Sequence, residues 1–320
     1  MMKAAVVKGP NQLVVENVPD PACDADSAIV RTHRAAICNA TDCEIAEGVF
    51  PGHLHPPYPH VLGHESSGEV VEVGCNVEGI KPGDRISYWC KMSGAFGQFN
   101  KIEPAKLAIA KLDESVSFDE GAVLELVGGT MRLMWDSGIR PADKVLILGQ
   151  GPAGLILLQE AKLFSRGTAV TLDLIDWRLE KSRQLGADFA FNPAKAAKEE
   201  ILDQVGEVDL VIDAVGNSRG INLGIDLLRP GGRYVIFGHA TEDQAIAMRE
   251  ICIKDLKVTG FSCPDEKNID LINLGQRLVA AGEIQLKPLI THHVPLDDLE
   301  QGLALCRRHE KVLKVIVDIA

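Results

Sequence analysis

Three glycines near the middle of the chain, Gly149, Gly151 and Gly154, stand in the pattern G-x-G-x-x-G. A short apolar run at 145–148 precedes them and an apolar-rich segment reaching Phe164 follows. That order predicts a buried strand, a tight turn and a helix. In such a unit one glycine makes the turn, one admits a pyrophosphate close to the backbone, and one lets helix and strand pack closely. Gly149, Gly151, Pro152, Ala153 and Gly154 are therefore candidate phosphate contacts, with the helix offering unpaired N–H groups and the positive end of its dipole. Asp173 follows Gly149 by 24 positions, near the ~20 expected of a carboxylate that binds ribose hydroxyls. It would also repel a 2′-phosphate. Leu174 offers that phosphate no partner, whereas Arg178 could lie over an adenine or reach a phosphate. The balance predicts NAD rather than NADP. Val215 and Phe237 complete the cofactor candidates.

A second set of residues could hold a metal. Cys38 sits in AAICNATDC, His64 and Glu65 in YPHVLGHESSGEVVEVG, and Glu125 in GAVLELVGG. Thiolate, imidazole and carboxylate together suit Zn²⁺, with a fourth position left for water or substrate. Each has an ordinary reading when taken alone. Cys38 could be a small buried hydrophobe, His64 a satisfied loop histidine, and Glu125 a surface or helix-capping acid.

These residues must be positioned by two kinds of architecture. Residues 1 to about 115 carry short β-like runs (KAAVV, LVVENV, AIVRTHRAAI, SSGEVVEVG, DRISYW) separated by turn signals such as KGP, VPDP and IKPGD. From about 126, strands predicted at 145–148, 169–173, 188–191, 208–213, 233–238 and 256–260 alternate with helices that include 152–164, 176–185 and 218–228. The last helix is expected to stop at the glycines of RPGGR. Alternation of this kind implies a doubly wound parallel sheet. The tail, with helices near 269–281 and 297–308 and a closing strand VLKVIVDI, is expected to complete the first body. The resulting expectation is a two-domain α/β protein: a mostly-β domain at 1–125 completed by 263–320, and a nucleotide-binding Rossmann domain at 126–262.

Composition narrows the function classes. The 320 residues carry a net charge of −12, which argues against a nucleic-acid partner. No apolar stretch approaches the ~18 residues of a membrane span, and the N-terminus lacks a signal-peptide core. Eight scattered cysteines read as reduced thiols, and a cytoplasmic location is expected.

The whole chain resembles the zinc-dependent medium-chain alcohol and polyol dehydrogenases. The resemblance rests on ICxxTD at 37–42, GHExxGxVxxVG at 63–74, KPGDR at 81–85, GxFxxF at 94–99, the glycine turn, and LRPGGRYVIFG at 228–238. It implies a GroES-like first domain, Cys38 and His64 as zinc ligands, and Glu65 or Glu125 completing the shell. Glu125 stands where sorbitol-type members carry Glu, which favours a polyol or sugar substrate. Two departures stand out. Cys38-Asn39-Ala40-Thr41-Asp42 is one residue longer than the family's C-x-T/S-D, and a bulge that preserves both groups is expected. The region of the family's four-cysteine structural zinc lobe holds Cys90 alone, so one catalytic zinc and no structural zinc is expected.

The resemblance further implies hydride transfer from a hydroxyl-bearing carbon to NAD, with zinc as Lewis acid. Thr41 would relay the proton and Asp42 would orient a ligand or loop, while Glu44 reads as a solvated acid. Histidines in HLHPPYPH (53–60) are expected in an irregular loop at the substrate mouth, and pocket walls are expected near 41–60, 88–96 and 261–268. A homodimer or homotetramer is expected through strands near 234–237 and 257–261. The alternatives are a threonine-type amino-alcohol dehydrogenase, a zinc-free quinone-type reductase, and a non-catalytic NAD-binding relative.

Overall fold

The computed structural model describes residues 1–51, 55–90, 93–240, 242–261, 269–308 and 311–319. The chain forms two compact units, Met1–Gly129 with Asp265–Ala320, and Thr130–Pro264.

The first unit begins with β1 (Met2–Val7), β2 (Leu13–Val18), β3 (Ala28–Ala36), the short helix α1 (Thr41–Glu47), β4 (His60–Val61), β5 (Glu65–Val73), β6 (Arg85–Trp89), β7 (Phe99–Ile102) and β8 (Ile109–Lys111). Helix α2 (Phe118–Asp136) follows. The second unit supplies β9 (Val145–Leu148), α3 (Pro152–Phe164), β10 (Ala169–Leu172), α4 (Asp176–Gln184), β11 (Phe189–Phe191), α5 (Lys198–Val205), β12 (Val208–Asp213), α6 (Ser218–Leu227), β13 (Leu228–Ile236), α7 (Met248–Ile253) and β14 (Lys257–Gly260). The chain then returns to the first unit with α8 (Ile269–Ala280), β15 (Ile290–Pro295), α9 (Leu299–Arg308) and β16 (Lys314–Asp318).

In the first unit the main sheet runs β15-β16-β3-β5-β6-β8, with β7 also pairing β3. Val30, Val70, Ile86, Val315 and Val317 are buried in its core, each contributing about 1.5–3 kcal/mol by removal from water. The register matters for the site. Ala36 of β3 pairs with Glu65 of β5 on one side and with Ile316 of β16 on the other. Glu65 in turn pairs with Trp89 of β6. A carboxylate therefore enters the middle of a buried sheet, where it needs a partner.

The second unit is a six-stranded parallel sheet in the order β11-β10-β9-β12-β13-β14. All four residues of β9 and of β10 are buried, as strands covered on both faces require. The strand order reverses between β9 and β12, the place where open α/β sheets bind ligands beyond their strand ends. One expectation fails here. Helix α6 ends at Leu227 with an extended Leu228 as its C-cap, not on a glycine. The chain passes directly into β13, where Pro230 prevents helical continuation and Gly231 adopts φ +71°.

Among the described residues no helix is long and apolar enough to cross a membrane, and the seven described cysteines are all unpaired.

Candidate functional site

Three candidate metal ligands converge within the first unit. Cys38 follows β3, His64 precedes β5 and Glu65 opens it, and their donor atoms lie within 4.8 Å of one another. The longer loop after Cys38 keeps both ends in place. The Cys38 backbone N–H donates to Asp42 Oδ2 (2.8 Å), and His64 Nδ1 donates to Asp42 Oδ1 (3.0 Å). Because a carboxylate only accepts, Asp42 fixes the imidazole proton on Nδ1 and leaves Nε2 as the basic nitrogen. Asp42 is wholly buried. The Asp42 carboxylate thus ties the two candidate ligands, Cys38 and His64, to one support.

The charges around the cluster are strongly coupled. Burial works against a charged His64, but the Asp42 carboxylate overrides it and raises the imidazole well above its ordinary value. Burial also works against the Lys314 ammonium, and Glu65 again overrides it. Lys314 Nζ donates to Glu65 Oε1 (2.7 Å), to Glu65 Oε2, and to the Ile37 carbonyl (3.2 Å). Glu125, on α2, is pushed up to about 7 by burial and by the neighbouring Glu65 charge. Cys90 is also buried, receiving a hydrogen bond from Asn100 Nδ2 (3.1 Å) and lying 3.2 Å from Ser66 Oγ. Burial pushes its thiol up to about 12.

A thiol, an imidazole and a carboxylate in mutual reach form a donor set of the zinc type. Of the four proposed ligands, the structure brings Cys38, His64 and Glu65 into one cluster and sets Glu125 where it feels their charges. Thr41 opens α1 and is half-buried. Glu44 is buried, with 7% of its surface exposed, and so is not a solvated acid. His60 belongs to β4, paired with Val7, and not to an irregular loop. His53 and the segment 262–268 lie outside the described residues. Lys314 is the residue that sequence reasoning missed. Its signal was available: a lysine inside an otherwise apolar closing strand is costly unless something buried pairs with it.

In the second unit the glycine turn has the geometry that its pattern requires. Gly149 takes φ +83°, and a Cβ on Gly154 would lie 1.8 Å from the Gly149 carbonyl oxygen. By contrast a Cβ on Gly151 would meet nothing within 4 Å, so open space faces the turn at the helix start. Gly151 is the N-cap of α3 and Pro152 its first residue, an arrangement suited to helix initiation. Asp173 closes the turn: Gln150 N–H donates to its Oδ2 (2.6 Å) and Ile175 N–H to its Oδ1 (2.8 Å). The Arg178 guanidinium lies 4.0 Å from the same carboxylate. Val215 and Leu174, just beyond the ends of β12 and β10, expose apolar side chains. Phe237 follows β13 and stacks obliquely with Phe261, ring centroids 6.1 Å apart.

Comparison with known proteins agrees with both halves. The alcohol dehydrogenase GroES-like domain family matches residues 24–127, and the zinc-binding dehydrogenase family matches residues 152–277. "Probable D-xylulose reductase A" of Aspergillus clavatus is 31% identical across 93% of this chain and 91% of its own length. The chain belongs to the zinc-type medium-chain alcohol and polyol dehydrogenases. This dehydrogenase is also 29% identical to sorbitol dehydrogenase of Homo sapiens, over 91% of this chain and 89% of that protein. The crystal structure of 2R,3R-butanediol dehydrogenase from Bacillus subtilis superposes with a TM-score of 0.89, covering 99% of each chain at 24% identity, which shows the shared fold. A GroES-like domain followed by a parallel Rossmann sheet is the architecture of the family, and the chain is an alcohol or polyol oxidoreductase of it. Zinc and a nicotinamide nucleotide are its cofactor class.

Proposed function

We propose that this dehydrogenase oxidises a secondary hydroxyl of a polyol, sugar or alcohol, with one catalytic zinc and with NAD as hydride acceptor. The convergence of the Cys38, His64 and Glu65 donors within 4.8 Å carries the proposal. When bound, zinc supplies a Lewis acid for the substrate hydroxyl and the nicotinamide supplies an acceptor for the hydride. Cys38, His64 and Glu65 would hold the metal, and Glu125 would stand beside it as a carboxyl already poised near neutrality.

The protein's own groups account for the rest. Asp42 keeps the His64 proton on Nδ1, so that Nε2 faces the ligand side. The Thr41 hydroxyl, on the first turn of α1, accepts the substrate proton and passes it outward. Cys90 is satisfied by Ser66 and Asn100 within its own sheet, which supports a single zinc with no separate structural lobe.

Asp173 favours NAD. Each of its oxygens takes one backbone N–H and retains a lone pair for a ribose hydroxyl. A 2′-phosphate would meet that carboxylate at close range. The test is NADH formation across secondary alcohols, polyols, aldoses and hydroxy amino acids, with and without added zinc. Turnover of a polyol or secondary alcohol that requires zinc is expected. Absence of turnover across the panel, or a higher kcat/KM with NADP, would overturn the proposal in its corresponding part.

A further inference from the structure

The ion pair between Lys314 and Glu65 lies at the candidate metal centre. Both side chains are almost fully buried, at 2% and 1% exposure. The three ammonium protons have three acceptors, the two Glu65 oxygens and the Ile37 carbonyl. The pair joins residues 249 positions apart, across strands β16, β3 and β5. Nothing in the sheet hydrogen bonding requires it, and a buried pair is commonly replaceable by apolar residues without loss of stability. Its distinguishing feature is that one member is also a donor of the Cys38–His64–Glu65 cluster.

We infer that Lys314 is an internal stand-in for the metal: it neutralises Glu65 while the site is empty of zinc, and it opposes zinc once zinc arrives. This rests on the metal-centre reading above. With zinc bound, the metal and the Lys314 ammonium share the negative charges of the Cys38 thiolate and the buried Glu65 and Asp42 carboxylates, and both draw on the same Glu65 oxygens. Two cations sharing one buried carboxylate repel each other. Because such coupling is reciprocal, the factor by which zinc weakens the Lys314–Glu65 contact is the factor by which Lys314 lowers zinc affinity. The first domain therefore folds before metallation, at the expense of weaker metal binding.

The experiment uses the full chain, stripped of metal and reloaded, and reads melting temperature and zinc affinity by competition with a chromophoric chelator. In Lys314→Met the metal-free form should melt below metal-free wild type. Zinc should raise its melting temperature by more than it raises that of wild type, and should bind at least about tenfold tighter. Lys314→Arg, which keeps the charge, should restore wild-type behaviour. If Lys314→Met does not fold without zinc, Glu65→Gln/Lys314→Met, which removes both charges, should recover a folded metal-free form. Failure of the double variant to recover, or unchanged or weaker zinc binding by Lys314→Met, would overturn the inference while leaving the metal centre standing. A wild-type chain that takes up no zinc would overturn both.

Discussion

Asp42 Oδ1 lies 3.0 Å from His64 Nδ1 while its other oxygen accepts the Cys38 backbone N–H. One buried carboxylate therefore sets the tautomer of one candidate metal ligand and the position of another. Replacing it by Asn keeps one acceptor oxygen but loses the charge. Asp42→Asn should weaken zinc binding by about 10–100-fold, measured by chelator competition, with a much smaller change in NADH binding to the other domain.

The glycine turn separates two kinds of damage. Gly154→Ala would place a Cβ 1.8 Å from the Gly149 carbonyl oxygen, so α3 must shift away from β9, at about 1–3 kcal/mol of stability. Gly151→Ala meets nothing within 4 Å at an ordinary negative φ of −71°. It should melt as wild type does while losing NADH affinity, because its Cβ would enter the space proposed for the pyrophosphate. Melting curves and a fluorescence titration with NADH distinguish the two.

Asp173 should set nucleotide preference. Asp173→Asn removes the charge that repels a 2′-phosphate and weakens a hydrogen bond to ribose, a loss of about 1.5 kcal/mol or more, or roughly tenfold. The ratio of kcat/KM for NAD over NADP should fall by at least that factor. A purely structural weakening of the turn would lower both values and leave the ratio unchanged.

Glu160 predicts a pH effect far from the metal. Its side chain is wholly buried on α3, its Oε1 accepts from Thr130 Oγ1 (2.8 Å), and its Oε2 has no hydrogen-bond partner. Burial raises it well above the ordinary 4.5. The folded state therefore keeps this proton at pH values where the unfolded chain has lost it. Stability from this group is full below 4.5 and declines as pH rises from there toward the folded value, by up to about 1.4 kcal/mol per pH unit. Glu160→Gln carries no such proton, so its melting temperature relative to wild type should rise between pH 5 and pH 8. A constant difference across that range would show that Glu160 is not held protonated.

Much of this was legible because it is local. The turn from Val145 through Gly154 to Asp173 is written in one continuous segment, and the structure gives Gly149 the positive φ and Gly154 the close backbone approach that such a turn needs. Cys38, His64 and Glu65 are separated in sequence, and they could be grouped only through the motifs that surround them. The extra residue after Cys38 was ambiguous until Asp42 was seen to hold both sides of the loop. Lys314 escaped because its partner lies 249 residues away and neither residue carries a local signal of the other. The end of α6 differs from the expectation for the opposite reason: the glycines of RPGGR are strong helix stops, but the chain leaves the helix already at Leu228 to enter β13.

The most direct test of the central claim is the zinc content, by elemental analysis, of protein expressed with ample metal, for wild type beside Cys38→Ser. The account predicts one zinc per wild-type chain and little in the variant. A wild-type chain carrying almost none, or a Cys38→Ser variant that retains it fully, would contradict it.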